Sequence, residues 1–385
     1  MNQQDRAGRY IRQPQGYSAF IPAPLPPNPP LHLDDELIAL ISRVERGLGR
    51  LDGSIQTLPD PDLFVFMYVR KEAVLSSQIE GTQSSLDDLL EAEAQILRAH
   101  RPKDVGEVVN YVNAINYGLA RLAELPVSVR LISEIHERLL EGVRGAERRP
   151  GELRRSQNWI GPRGCTVFEA SFVPPPWEAV PQALSDLEHF IHEDDRIPVP
   201  VKIGLAHAQF ETIHPFLDGN GRIGRLLITL LLCEGKVLGK PVLYISYYFK
   251  RYRERYYGLL QRIRDAGEWE SWLKFFLTAV AEVSVEAMNT ARRIVDLRER
   301  HRRMITESFG RATSNGLKVL ESLYSRPITS VNGIAEITGT SFPAASQLMN
   351  RFVENRILTE ITGRARNRQF RYTEYVDLFA DREQR

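Results

Sequence analysis

Apolar residues recur at helical spacing, every three or four positions, along most of this chain. The first such run, residues 33–53, has acidic residues in its opening turn and Gly53 at its end, which predicts a helix that stops at this glycine. Four more segments between residues 101 and 290 carry the same pattern, and residues 269–304 indicate one or two long helices. The chain is therefore predicted to be mainly α-helical.

A second and a third helix are predicted between the first run and residue 100. The second extends from about Pro61 to Ile79, and Gly81 breaks it. The third begins after Ser85, whose hydroxyl can cap it, and carries Asp87 and Asp88 in its first turn. Negative charge at that position suits the positive end of the helix dipole.

Two stretches depart from this pattern. Residues 157–176 place the turn Gly161-Pro-Arg-Gly164 between Trp, Ile, Val and Phe and end in three prolines, so we expect a short β-hairpin. From about Phe309 a separate unit begins, with a helix, a helix-turn-helix pair and an alternating segment at 357–373 that predicts a second small hairpin. This order is typical of a winged helix.

Composition adds limits rather than a function. The chain has 385 residues, 43% hydrophobic and 26% charged, and its net charge of +1 favours neither nucleic acid nor membrane as a partner of the whole chain. Cys165 and Cys233 form neither a disulfide framework nor a zinc site, so a reducing compartment is expected. We see no signal peptide and no apolar run of the ~20 residues that span a bilayer, and expect a cytoplasmic protein. The proline-rich residues 22–30 are expected to lie extended along the surface, an SH3 ligand being the alternative.

The candidate chemistry is concentrated in residues 214–225, His-Pro-Phe-Leu-Asp-Gly-Asn-Gly-Arg-Ile-Gly-Arg. Pro215 disfavours helical geometry at His214, so the preceding helix should end there and leave the imidazole at a helix-to-loop junction. With an ordinary pKa of about 6.5, this imidazole can accept a proton at neutral pH. Phe216 is expected to anchor the loop in the core. Asp218 offers the hard oxygen ligand that Mg²⁺ shares with phosphate groups.

The second half of this segment is suited to an anion. Gly219, Asn220 and Gly221 let backbone N–H groups converge, and a helix that begins near Arg222 turns its positive end toward the same place. Arg222 and Arg225 are three positions apart on that helix, so both can reach phosphate oxygens. Each residue alone would be an ordinary turn or a solvated arginine. The ordered set predicts a polyphosphate site beside a proton acceptor.

This segment resembles the signature of the Fic family, HPFx(D/E)GNGRxxR, at every defined position. The resemblance implies a helical fold, binding of ATP with Mg²⁺, and transfer of AMP to a Ser, Thr or Tyr hydroxyl of a target protein. It implies that His214 is the general base and that Asp218 holds Mg²⁺. It also implies that the phosphates are bound by Gly219, Asn220, Gly221, Arg222, Gly224 and Arg225. Other family members transfer UMP, phosphocholine or phosphate, and the intact GNGRIGR segment favours AMP here.

The segment Ser76-Ser-Gln-Ile-Glu80-Gly81 resembles the inhibitory motif of the same family, (S/T)xxxE(G/N), in the class that carries it before the signature. Ser76 and Glu80 are four positions apart, on one helix face. The resemblance implies that Glu80 pairs with Arg225 and blocks the productive position of the γ-phosphate, since arginine binds carboxylate and phosphate alike. In some members this glutamate positions a water that removes AMP from the target, so de-AMPylation remains an alternative.

Two further assignments follow from the resemblance. Residues 157–176 would be the family's flap, which docks the target by strand addition, and an ordinary surface hairpin is the alternative. Tyr256 and Tyr257 fall where the family places adenine-contacting side chains, and Tyr257 is the better candidate, with a core role as the alternative. His207 is assigned to the core rather than to a metal, because the chain has no HExxH spacing.

The C-terminal unit leaves its partner open. Arg364, Arg366, Arg368 and Arg371 crowd the predicted wing, and basic wings contact DNA phosphates. Nearby glutamates dilute this charge, however, and winged helices also bind proteins or form dimers. A DNA-binding regulator that senses a nucleotide is therefore the alternative function, although sensing alone needs no base at position 214.

The predicted architecture is mainly α, with a Fic helical core, a short β-hairpin flap and a winged helix-turn-helix. Its predicted function is transfer of AMP from ATP to target proteins or to itself, with autoinhibition, and a homodimer is compatible with the long helices. The predicted parts are a proline-rich tail (1–32), an N-terminal helical domain with the inhibitory helix (33–110), a catalytic domain (111–290), a helical linker (291–310) and a winged-helix-like domain (311–385).

Overall fold

Helices make up most of the fold, as the hydrophobic pattern predicts. A computed structural model describes residues 3–56, 61–96, 102–162, 164–193 and 196–380, and within these ranges there are fifteen α-helices and five short strands. The helices are α1 (Asp35–Gln56), α2 (Pro61–Ile79), α3 (Leu86–Glu93), α4 (Val105–Arg121), α5 (Val129–Leu139), α6 (Val180–Glu193), α7 (Val199–Ile213), α8 (Asn220–Glu234), α9 (Ser246–Arg251), α10 (Arg253–Ala266), α11 (Trp269–Ser308), α12 (Thr313–Leu323), α13 (Val331–Thr338), α14 (Phe342–Glu354) and α15 (Thr373–Asp377). The strands are β1 (Gly8–Arg12), β2 (Ser18–Pro22), β3 (Ile328–Thr329), β4 (Thr359–Glu360) and β5 (Phe370–Arg371).

The predicted break after α2 and the predicted start of α3 are confirmed, and the predicted end of α1 is wrong. Helix α3 ends at Glu93, short of the predicted run to residue 100, and Gln95 after it has a positive φ of 56°. Gly81 follows α2 with φ +97°, and Ser85 caps α3 in a reciprocal capping box with Asp88. The rest of the predicted third helix, residues 97–100, lies outside the described residues. Helix α1 continues past Gly53 to Gln56, because Ile55 in its last turn is buried and this burial outweighs the cost of about 1 kcal/mol for a helical glycine.

The N-terminal segment contains a hairpin that the hydrophobic pattern does not predict. Strands β1 and β2 pair antiparallel over residues 8–22, and Phe20 is fully buried. The Phe20 N–H donates to the Val173 carbonyl oxygen at 2.9 Å, so the hairpin lies against the end of the 157–176 segment. Its alternation was too short and too rich in charge to be recognised as a strand pattern.

Three helices hold the centre of the molecule together. Helix α11 is a single 40-residue helix that packs against α1 and α7 and continues through the segment predicted as a linker. Helix α7 is buried on nearly every side, which is why its apolar residues show little periodicity. Helix α8 packs on α7, and α2 lies across both α4 and α9. No helix of the described part has the combined length and apolarity that a membrane crossing requires.

The C-terminal unit contains regular strands, whereas the described residues of the 157–176 segment do not form them. The C-terminal unit has the α13–α14 pair and a three-stranded antiparallel sheet in the order β3–β5–β4, an arrangement compatible with the predicted winged helix. The 157–176 segment folds back on itself through one antiparallel bridge, Ile160 to Phe172, without regular strands. Arg163, in its predicted turn, lies outside the described residues.

Candidate functional site

His214 ends helix α7 in a left-handed conformation, with φ 50° and ψ 60°. Such a backbone is costly for a residue with a side chain, so the surroundings must hold it in place. Its Nδ1 has no hydrogen-bond partner among the described residues. Burial, together with the positive charges of Arg264 and Arg154, lowers the pKa of His214 to about 3. The imidazole is therefore neutral at physiological pH, which is the form that accepts a proton.

Arg154 holds the strained turn, a role that its local sequence does not predict. Its Nε donates to the His214 carbonyl oxygen at 2.9 Å, and its Nη2 donates to the Pro175 carbonyl oxygen at 2.6 Å. The Arg154 N–H also donates to the Pro215 carbonyl oxygen at 2.9 Å. The side chain is buried, and burial lowers its pKa to about 10, so it stays charged at neutral pH. Arg154 thus links the C-terminal end of the 157–176 segment to His214, the candidate general base.

The loop after His214 is closed by side chains rather than by backbone pairing. Asn220 accepts a hydrogen bond from the Phe216 N–H and donates one to the Phe216 carbonyl oxygen, both at 2.8 Å. The Phe216 ring is buried, as predicted, and stacks on His136 with 3.7 Å between ring centroids. Because the Gly151 N–H donates to His136 Nδ1, the imidazole proton is on Nε2, which donates to the Asp218 carbonyl oxygen at 3.0 Å. His136 on α5 thereby fixes the loop, a role that its position in an amphipathic helix did not reveal.

Asp218 lies beside the N-terminus of α8, which begins at Asn220, two residues before the predicted start. Gly219 has φ +79°, which turns the chain into the helix. The Asp218 carboxylate accepts the Gly219 N–H at 2.6 Å, and its side chain is 36% exposed. It therefore remains open to a ligand. Among the described residues, no three His, Cys, Asp or Glu side chains cluster as a metal site.

Arg222 points into the protein and forms a buried ion pair. Its Nη1 lies 3.1 Å from Glu107 Oε2 on α4, and its Nη2 lies 3.6 Å from Asp218 Oδ1. Both Arg222 and Glu107 are almost completely buried. Arg222, assigned from the sequence to phosphate binding, thus also anchors α8 to α4 and supports the Asp218 carboxylate.

Arg225 is fully buried and is held by Ser76 and Glu80. Its Nε donates to Ser76 Oγ at 2.9 Å, and its Nη2 donates to the Ser76 carbonyl oxygen at 3.0 Å and to Glu80 Oε1 at 2.7 Å. Burial alone would raise the pKa of Glu80, but the charges of Arg225 and Arg222 outweigh it and lower that pKa, so the carboxylate is ionised. The structure brings Ser76 and Glu80 into contact with Arg225, which lies about 150 positions later in the sequence.

Glu80 lies directly over the first turn of α8. A Cβ atom added to Gly221 would be 2.3 Å from Glu80 Oε1, closer than any real contact. The carboxylate therefore occupies the space beside the N–H groups at the positive end of this helix, where an anion is stabilised. Only glycine at position 221 permits this approach.

Gly224 faces helix α7 rather than the loop. A Cβ atom there would be 2.3 Å from Glu211 Oε1 and 3.3 Å from His207 Cε1, so glycine permits close packing of the two helices. His207 is buried, with Nδ1 2.9 Å from the Gly224 carbonyl oxygen and Nε2 2.9 Å from the Tyr256 hydroxyl, in agreement with a core role. Burial raises the pKa of Glu211 to about 7, and its Oε1 has no hydrogen-bond partner within the described ranges.

The two candidate adenine contacts differ in exposure. Tyr256 is fully buried and belongs to the core, whereas Tyr257 is 40% exposed. Burial and then the charge of Glu80 raise the pKa of Tyr257 to about 12, so the phenol lies near the Glu80–Arg225 pair. Of the two, Tyr257 is the side chain that a ligand at this site could contact.

Two segments of this chain match models of one protein family. Residues 38–120 match the model of the Fic/DOC family N-terminal region, and residues 126–232 match the Fic/DOC family model. A probable protein adenylyltransferase of Aquifex aeolicus is 31% identical over 208 residues, which cover 52% of this chain and 57% of that protein. The protein adenylyltransferase Fic of Drosophila grimshawi is 29% identical over 197 residues, or 50% of this chain and 36% of that protein.

The fold comparison covers more of the chain. The crystal structure of a Fic family protein from Desulfovibrio desulfuricans G20 aligns with 89% of this chain and 97% of its own length, with a TM-score of 0.57 and 19% sequence identity. That likeness concerns the fold alone, while the two family-model matches cover the segments 76–81 and 214–225 of this chain. The chain belongs to the Fic/DOC family.

Proposed function

We propose that this chain is a protein adenylyltransferase that transfers AMP from ATP to a hydroxyl group of a target protein. The relatives named for this activity match only part of their length, so the argument depends on the site. The observation that carries it is the neutral His214 at the end of α7, in the same loop as Asp218 at the start of α8. A proton acceptor beside an anion-binding helix end meets the needs of phosphoryl-group chemistry.

In the proposed reaction, the target hydroxyl oxygen attacks the α-phosphorus of ATP. A bond forms between that oxygen and phosphorus, the bond from phosphorus to the pyrophosphate oxygen breaks, and pyrophosphate leaves. His214 takes the hydroxyl proton as general base. Arg154 and Asn158, which both donate to the His214 carbonyl oxygen, hold the residue in place during this transfer.

The residues present fit a magnesium ion shared with the phosphates. Mg²⁺ is commonly bound by one or two carboxylates together with phosphate oxygens and water, and the half-exposed Asp218 offers one such carboxylate. Mg²⁺ held there would neutralise phosphate charge. The N–H groups of Gly219 and Gly221 and the dipole of α8 would stabilise the same negative charge, and Tyr257 would contact the base.

We further propose that Glu80 inhibits this reaction. Its carboxylate lies against Gly221 and takes the Nη2 hydrogen bond of Arg225 that a phosphate oxygen would otherwise accept. Gly81 follows Glu80 directly and has φ +97°. A glycine at this position lets the end of α2 turn away without a rearrangement of the whole helix. Loss of the Glu80 carboxylate should therefore open the site.

The target protein would dock along residues 157–176. A single bridge closes this segment among its described residues, and Trp159 and Phe168 are exposed at 42% and 67%. An incompletely paired backbone with exposed aromatic side chains suits the addition of an extended peptide.

Intact-mass spectrometry after incubation with ATP and Mg²⁺ tests the proposal. We expect the Glu80→Gly variant to gain the mass of one AMP by self-modification, the wild type to gain much less, and Glu80→Gly/His214→Ala to gain none. Measurable ATP binding without an AMP adduct in any of the three would contradict it.

A further inference from the structure

The C-terminal unit exposes a basic face that the proposed reaction does not use. This face consists of the outer side of α14, residues 341–350, and of the wing tip, residues 363–368. The wing residues Arg364, Arg366 and Arg368 are exposed. No acidic residue occurs between positions 361 and 373, although the net charge of the whole chain is only +1. The positive charge is therefore local to this face.

Helix α14 offers the groups that read base edges. Gln347 and Asn350 are exposed on it, while Leu348 and Met349 face the core of the unit. Glutamine and asparagine can bind adenine with two hydrogen bonds in the major groove, which admits one α-helix. A polar side chain set on the second helix of a helix-turn-helix, with arginines on the adjacent wing, fits duplex DNA.

The nearby glutamates do not cancel the positive charge of this face. The Glu360 carboxylate is held within the wing, where it accepts hydrogen bonds from the Thr362 and Gly363 N–H groups at 2.9 and 3.0 Å. Glu354 lies at the C-terminal end of α14, away from the N-terminal turns that approach the bases. The acidic residues thus stabilise the wing or border it.

The same unit is seated on the inhibitory helix. The rings of Phe379 and Tyr68 on α2 meet edge to face with centroids 5.2 Å apart. At the base of the wing, Arg371 forms an ion pair of 3.0 Å with Asp87, in the first turn of α3. A cavity of about 150 Å³ lies between α2 and the C-terminal unit and is lined by Gln78 among others. Gln78 lies between Ser76 and Glu80 in sequence but on another face of α2.

We propose that duplex DNA binds this basic face and, by drawing the wing away from α3, loosens the hold of Glu80 on Arg225. DNA phosphates are attracted by the wing arginines and repelled by Asp87 and Asp88, and a phosphate at the base of the wing would compete with Asp87 for Arg371. DNA therefore binds more tightly when the wing has separated, which is the differential affinity that a shift requires. The regulatory half rests on the proposed function, whereas the binding half stands without it.

Fluorescence anisotropy of a labelled duplex of about 30 base pairs, with the full chain and no ATP, tests the binding. We expect affinity to fall with salt, and Arg364→Ala/Arg366→Ala/Arg368→Ala to reduce the slope of log K against log salt by about 3, since each lost phosphate contact removes about 0.9. Arg43→Ala/Arg46→Ala/Arg50→Ala removes the same charge from the exposed side of α1 and should bind like the wild type.

Absence of binding at about 50 mM salt, or equal weakening by both triple variants, would overturn the proposal. So would self-association of the chain that Phe342→Ser abolishes, because the exposed Phe342 would then belong to an interface between two copies.

AMP transfer with and without the duplex tests the regulation. We expect DNA to raise the rate of the wild type several-fold, to leave Glu80→Gly unchanged because its site is already open, and to leave the wing triple variant unchanged because it does not bind. If DNA binds but the wild-type rate is unaffected while Glu80→Gly is active, the regulatory half is wrong. If Glu80→Gly is itself inactive, the proposed function fails, and the anisotropy result still decides the binding.

Discussion

At the level of single residues, Ser76 fixes helix α2 to Arg225 on helix α8. Its hydroxyl and carbonyl oxygens both accept hydrogen bonds from Arg225. In Ser76→Ala the buried Nε of Arg225 loses its acceptor, which should cost about 1–3 kcal/mol of unfolding free energy. We expect AMP transfer to rise above wild type but to stay below Glu80→Gly, since Glu80 remains. Urea unfolding and AMP incorporation measure the two effects.

The neighbouring serine is the control for this prediction. Ser77 Oγ is also buried, yet it makes no hydrogen bond within the described ranges. Ser77→Ala therefore should change neither stability nor AMP transfer appreciably. Equal effects of the two substitutions would show that the contact with Arg225 is not what holds the helix.

His136 gives a second prediction at this scale. In His136→Phe the ring can still stack on Phe216, but the hydrogen bond to the Asp218 carbonyl oxygen is lost. One misplaced loop should lower AMP transfer by roughly 10-fold or more in the Glu80→Gly background, because catalytic groups must be held in register. Single-turnover AMP incorporation measures it.

A matched histidine lies far from the site. His192 Nε2 contacts the Val127 carbonyl oxygen at 2.6 Å, so His192→Phe removes a comparable hydrogen bond elsewhere. If both variants lose the same activity, the effect is one of general stability and the positioning role of His136 is refuted.

The sequence identifies the residues of the motif but not those that hold them. His214, Asp218 and Arg225 stand out because their order is specific. Arg154 and Glu107 do not, because a buried charge contacts the site only after distant segments have folded together, and nothing in their local sequence marks that contact.

At the scale of the element, the α7–α8 interface contains a buried acid that should make stability depend on pH. Burial raises the pKa of Glu211 from 4.5 to about 7. As pH rises from 4.5 to 7, the unfolded state loses a proton that the folded state keeps, so stability present at low pH is lost, by up to about 3 kcal/mol. Glu211→Gln should remove this loss, which urea unfolding at about pH 5 and pH 8 would measure.

A second buried acid contributes to the pH dependence of stability in both proteins. Burial also raises the pKa of Glu72 to about 7, and this group is present in both proteins. Both should therefore lose stability as pH rises, with the smaller loss in Glu211→Gln. Parallel pH profiles would mean that Glu211 is ionised in the folded protein.

The elements themselves were predictable to different extents. Helices with one buried face, such as α4 and α5, follow from periodicity, and the cap at Ser85 follows from local chemistry. The stop at Gly53 failed because tertiary burial of Ile55 overrides a local preference. The hairpin of residues 8–22 was missed because its one buried face depends on residues near position 173.

At the scale of the whole molecule, Arg6 clamps the N-terminal segment to the long helix α11. Its guanidinium donates to both carboxylate oxygens of Glu270, at 3.1 and 2.9 Å, and to the carbonyl oxygens of Pro29 and Pro30. Arg6→Met leaves a partly buried carboxylate without its cation, which should cost about 1–3 kcal/mol. It should also speed proteolysis within residues 3–32, which mass spectrometry of the fragments would follow.

Arg9 provides the comparison for this clamp. It lies three residues further along, is exposed, and carries the same charge. Arg9→Met should unfold and be cleaved like the wild type. Equal sensitivity of the two variants would show that the hairpin is held by its apolar contacts and not by Arg6.

We propose that Glu80 closes a site that transfers AMP. Transfer of label from ATP to the protein measures this closure. Wild type, Glu80→Gly and Glu80→Gly/His214→Ala would be incubated with ATP labelled at the α- or the γ-phosphate, and protein-bound label measured. We expect label from the α-phosphate alone, strong in Glu80→Gly, weak in wild type and absent in the double variant. Label from the γ-phosphate, or equal label in wild type and Glu80→Gly, would contradict it.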